Sequence, residues 1–119
     1  MPRKPIASVA LALLVAVAAA FAANPAGRWG GKMPGPEGAM IDLVYTIAND
    51  DGKLSGSVDF VGLGEVPISD GTARGDSVFF TVDAVEVVLG HRGRVVGDSL
   101  YLTVTVGPNE FPNVLTRLP

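Results

Sequence analysis

The 119-residue chain contains no cysteine. That excludes disulfides, thiolate metal ligation and lipid attachment at a lipoprotein cysteine. It has one histidine, His91, so sites built from several histidines or from Cys-His sets are excluded as well. No Gly-x-Ser-x-Gly elbow, no glycine-rich phosphate loop opening a helix and no EF-hand loop is present. Serines 55, 57, 77 and 99 fall in turns or on outward strand positions, and the sequence points to no catalytic set, no metal site and no cofactor. Positive charge is scarce too. From Ala23 onward seven basic residues stand against all twelve acids, a net charge of −5. Such a surface repels phosphate backbones, so nucleic acid is excluded as a partner. Helical periodicity is missing after residue 23, where Gly and Pro are spread evenly through the chain.

What is present begins with Arg3 and Lys4, followed by an uncharged Ala/Leu/Val-rich run from Ile6 to Ala23. Ala20-Phe21-Ala22 is a small-x-small cleavage pattern, which makes residues 1–22 a signal-peptide helix and residues 23–119 one domain. The alternative is an uncleaved anchor, since eighteen such residues are just long enough to span a bilayer. The small-residue end and the abrupt change at Asn24-Pro25 favour cleavage. The expected location is therefore exported, periplasmic or extracellular, with membrane contact only through this segment before cleavage. Export without cysteine fits a bacterial envelope better than a disulfide-stapled module.

The rest of the chain is organised around a repeat. Residues 71–82 and 93–104 align at a spacing of 22, sharing Gly71/Gly93, Gly75/Gly97, Asp76/Asp98, Ser77/Ser99, Thr81/Thr103 and Val82/Val104. Each copy reads as strand, Gly-Asp turn and returning strand. Gly at the first central position followed by a small polar residue suits a type II′ turn. Asp76 and Asp98 are thereby assigned to turn geometry rather than to acid–base or calcium chemistry.

Alternation extends the pattern. Strands are predicted at 27–33, 40–48, 53–60, 66–74, 77–82, 85–96, 99–106 and 113–118, with loops at Pro34 to Gly38 and Gly107 to Pro112. An Asp51-Gly52 turn places Tyr45 opposite Val58 and Ile47 opposite Gly56, so both apolar sets share one face. Pro67 and Gly71 imply a bulge or an edge. Asp83-Ala84 is the expected turn after the fifth strand, pairing Phe80 with Val87 and Val78 with Leu89. The Gly97-Asp98 turn pairs His91 with Val104. The fold class is all-β: an antiparallel up-and-down meander of about eight strands, closed or nearly closed into a barrel, with a β-sandwich as the alternative.

Gly27-Arg28-Trp29 on the first strand and Arg117 on the last resemble the Gly-x-Trp and C-terminal Arg arrangement of the lipocalin-like (calycin) barrels. The resemblance covers Gly27, Trp29 and Arg117 and implies a tryptophan plug at a closed end with an arginine packed across it. Lipocalins proper are about half again as long, so a shortened barrel is implied. Over the whole mature chain the sequence is similar to small exported bacterial β-barrel proteins of uncharacterised function. There the shared features are the Gly-x-Trp strand, Leu54-Ser55-Gly56-Ser57-Val58, the Pro67 to Gly71 segment and the Gly-Asp hairpins.

Two candidate sites follow. Inward parity collects Tyr45, Phe60, Phe80, His91 and Leu102 as the lining of an interior pocket for a small, mostly apolar ligand, with His91 its polar group. The competing reading of His91 is a histidine satisfied by backbone near Gly90 or Gly93, or one at the rim. On the outer face, Arg94 opposite Tyr101, with Arg92 and Phe79 beside them, forms a shallow aromatic–basic patch, a surface for an envelope protein or polysaccharide. The plain alternative there is a cross-strand cation–π contact.

Overall fold

In the computed structural model, which describes residues 24–119 apart from Val85, the alternating stretches form eight strands. They are β1 (Gly27–Pro34), β2 (Met40–Asp50), β3 (Lys53–Phe60), β4 (Gly64–Arg74), β5 (Ser77–Ala84), β6 (Val87–Val96), β7 (Ser99–Val106) and β8 (Asn109–Arg117), with one 3-10 turn at Pro36–Gly38. Each strand pairs antiparallel with the next, and β8 returns to β1, closing a meander barrel. The sandwich alternative is thereby removed. The segment read as a signal peptide lies outside the described residues.

Turn chemistry explains the reversals. Asp51 and Gly52 both adopt positive φ (52° and 89°), the type I′ geometry whose twist matches its flanking strands. Gly75, Gly97 and Gly107 each carry φ near 60° at the first central position while the next residue does not, as a type II′ turn requires. The repeated Gly-Asp hairpins therefore fold alike.

Side-chain parity follows. Leu43, Tyr45 and Ile47 of β2, Leu54 and Val58 of β3, Val78, Phe80 and Val82 of β5, and Leu100 and Leu102 of β7 are all buried. Tyr101, between two buried leucines, is half exposed. The expected irregularity in the fourth strand is a pair of register shifts, one against β3 between Leu54 and Ser57, the other against β5 between Ser69 and Thr72. Asp70, at φ 54°, sits inside the second.

Two expectations are corrected. The turn after β5 is not Asp83-Ala84: both residues continue the strand, Ala84 pairs with Val87, and Glu86 supplies the positive φ of 63°. Asp83 could take φ > 0 as Asp51 does, but Ala84 has no preference for it at the second central position where Asp51-Gly52 has its glycine, and the chain runs on. The shift preserves parity but slides the partners: Phe80 faces His91 rather than Val87, and Val78 faces Gly93 rather than Leu89. The second correction concerns Gly107 to Pro112. Gly107 and Pro108 alone make the turn, and Asn109 to Pro112 belong to β8, paired with Val106 to Thr103.

The two poles of the barrel differ. One carries the turns at 51–52, 75–76 and 97–98 and is sealed by Trp29, fully buried, whose indole Nε1–H donates to the Pro25 carbonyl at 2.8 Å. The Arg117 guanidinium lies 4.2 Å from the centre of the indole ring and donates to the carbonyls of Ala26 (2.8 Å) and Asn24 (3.1 Å). Residues 24–26 are thus strapped across this pole. At the other pole no such plug exists among the described residues.

Candidate functional site

The unplugged pole contains a cavity of about 510 Å³. Its walls are inward side chains, Leu43 of the core together with Phe60, Leu89, Val104 and Val106, with Met33 and Phe111 at the rim. The size suits a small ligand, and its lining is the mostly apolar kind with few polar groups that such sites use.

Its polar floor is one pair. Tyr45 Oη and His91 Nε2 are 3.0 Å apart, and His91 Nδ1 lies 3.1 Å from the Leu89 carbonyl. A carbonyl only accepts, so Nδ1 carries the proton, Nε2 keeps its lone pair, and the Tyr45 hydroxyl donates to it. The Phe80 ring stacks on the imidazole at 4.6 Å, and Tyr45 meets Phe80 edge-on at 6.1 Å. Burial moves both groups away from charge: His91 is pushed down to about 4, although its bond to the Leu89 carbonyl pulls the other way, and the Tyr45 hydroxyl is pushed up. Near neutral pH the pair is uncharged and its donors are used internally. What it offers a ligand is acceptor capacity on the phenol oxygen, and it is poorly suited to proton transfer, which calls for a pKa near the working pH. No buried side-chain nitrogen or oxygen among the described residues lacks a partner. No cluster of three metal-ligating side chains occurs among them either.

Of the five residues expected to line an interior pocket, Tyr45, Phe60 and His91 do so. Phe80 and Leu102 do not: both are packed into the core, 2% and 3% exposed. The corrected β5–β6 register is the reason for Phe80, since it lays that ring flat against His91. The His91 ring is bonded to backbone through Nδ1 and also lines the cavity.

The outer patch is arranged differently from expectation. Arg94 stands opposite Tyr101 in register, but its guanidinium is held by the turn residue Asp76 at 2.7 Å. That hydrogen bond lowers the Asp76 carboxyl below its ordinary value. Arg92 is held by Glu110 at 2.7 Å. What remains open is a shallow groove of about 420 Å³ between Phe79, Tyr101 and Val114.

Sequence reasoning missed the cavity residues supplied by β1 and β8, namely Lys32, Met33, Pro34, Phe111, Pro112 and Asn113. The available signal was the two prolines, whose lost N–H groups mark strand edges. A comparison with family models, with curated proteins and with solved structures finds no match to this chain.

Proposed function

We propose that this chain is an exported, non-enzymatic β-barrel that binds a small, mostly apolar ligand in the cavity at its unplugged pole. The observation carrying the reading is the asymmetry of the interior: a solid core under Trp29 at one pole, and about 510 Å³ of apolar space over a neutral Tyr45–His91 pair at the other. A barrel of eight strands is wide enough to be filled or to hold one small ligand, and here it is filled only in part. Export rests on the composition of residues 1–23. The calycin-like reading rests on Gly27, Trp29 and Arg117 and is supported by the arginine stacked on the indole.

The test is titration with the uncharged fluorophore N-phenyl-1-naphthylamine. Saturable, one-to-one enhancement is expected, and Leu89→Trp, which fills the cavity, weakens it about tenfold or more by removing the space for the ligand. Enhancement that never saturates, or that survives Leu89→Trp unchanged, overturns the reading.

The outer face supports a second reading, a recognition surface for an envelope protein or polysaccharide, because Phe79 and Tyr101 are left about half exposed beside a groove. Retention on envelope fractions that is lost with Tyr101→Ala and kept with Leu89→Trp favours it over ligand binding.

A further inference from the structure

The barrel closes by a short seam. Every other neighbouring pair of strands shares at least five residue pairs in register, whereas β1 and β8 share two, Trp29↔Arg117 and Gly30↔Thr116. Both strands run on toward the unplugged pole, β1 to Pro34 and β8 back to Asn109.

The hydrogen-bond phase shows that the seam cannot be laced shut at the rim. The Leu118 N–H donates to the Arg28 carbonyl at 2.8 Å, so the even-numbered residues of β1 and β8 direct their backbone groups at each other. Continuing the register of Trp29↔Arg117 sets Lys32 opposite Val114 and Pro34 opposite Pro112. At that last position each residue would have to donate an N–H to the other, and neither has one. The same phase turns both missing donors away from β2 and β7, so the ladders on those sides are undisturbed.

The cavity borders this gap. On β2, β6 and β7 its lining residues alternate, as inward side chains must (Leu43 and Tyr45, Leu89 and His91, Val104 and Val106). On β1 and β8 they are consecutive: residues 32–34 and 111–113. Consecutive residues point to opposite faces of a sheet, so there the cavity is bordered by outward as well as inward residues.

We infer that the cavity takes a single-chain amphiphile side-on, its aliphatic chain passing through the β1–β8 seam into the interior and its polar head left outside. This rests on the cavity being a binding site, and it names the ligand class and the route. An extended peptide strand is disfavoured, because strand addition needs backbone donors along the edge and the prolines remove them. A chain of methylenes needs none. Outside the seam stand Lys32 and Asp42, paired at 3.3 Å and exposed, a site with no net charge to select among head groups.

The absence of cysteine makes the test clean. In Lys32→Cys/Val114→Cys the two thiols face each other across the seam on its outer surface; oxidation, or a bifunctional maleimide where the thiols stand too far apart, closes it. The control is Val44→Cys/Asp59→Cys, a pair in register elsewhere on the outer wall. The probes are alkyl chains bearing sulfate, trimethylammonium or maltoside heads, used below their micellar concentrations. The wild type is expected to bind all three within about tenfold of one another, and to gain about threefold to fourfold per added methylene, the usual return on burying a CH₂. Closing the seam lowers alkyl binding at least about tenfold, a loss that the control pair does not show and that thiol reduction or omission of the maleimide reverses. Wild-type binding by the sealed protein overturns the side-on route. A strong preference for one head group overturns the external head. Naphthylamine binding without alkyl binding overturns the ligand class while leaving the cavity a binding site, and failure of both overturns the proposed function itself.

Discussion

His91 concentrates the chemistry of the interior into one ring whose two nitrogens are both committed. Its protonation is held down to about 4 in the folded chain against an ordinary 6.5, so between those values the unfolded chain binds a proton that the folded one refuses. The stability attached to this group is complete above about pH 6.5 and declines as the pH falls toward 4, by about 3 kcal/mol in all. Urea midpoints measured from pH 7 to 4 should show that decline. His91→Gln, which keeps a side-chain acceptor for Tyr45, should flatten it to the slope contributed by the carboxylates alone. At the opposite pole Arg117 joins a stacked indole to two backbone carbonyls. Arg117→Ala is expected to cost about 2 kcal/mol, since it removes a cation–π contact and two charge-assisted hydrogen bonds together. The emission of Trp29, the only tryptophan, should shift to the red as the strap of residues 24–26 loosens; unchanged emission together with an unchanged midpoint would count against the plug.

Strands and turns show where a sequence is explicit and where it is silent. Asp51-Gly52, Gly75-Asp76 and Gly97-Asp98 name their own geometry, and the registers they set place Tyr45 on Val58 and His91 on Val104 as read from alternation. Asp83 and Ala84 name nothing. A turn there and a turn two residues later satisfy the same parity, and what separates them is packing between distant residues, the Phe80 ring on His91, which no local pattern reports. Prolines mislead in a comparable way: Pro112 suggested a loop, yet a strand accepts it when the missing donor faces an unpaired edge. Glycine within a strand can be just as specific. Gly56 has φ 136°, and a β-carbon there would run into the Thr46 carbonyl oxygen of β2. Gly56→Ala should therefore destabilise the β2–β3 hairpin by about 2 kcal/mol or more, whereas at an ordinary strand position the same change is neutral or stabilises by about 0.5 kcal/mol. Paired urea denaturation of Gly56→Ala and Gly90→Ala measures the difference, because Gly90 has ordinary room for a β-carbon.

For the whole molecule, the eight-strand meander was legible because parity carries through seven reversals and switches only at the β4 irregularity that Pro67 and Gly71 announce, and closure is what remains once every strand is paired but two. The position of the cavity was not legible. It depends on which pole receives the tryptophan and on a ladder that ends at Gly30 and Thr116, well short of Pro34 and Pro112, both matters of how the first strand meets the last across the full length of the chain. The same meeting sets a direction. Residues 24–26 and Arg117 share the sealed pole, so both ends of the described chain lie there. Held by either end to a larger body, the barrel would stand like a cup on its base, its unplugged pole turned toward the surrounding medium and clear of the support.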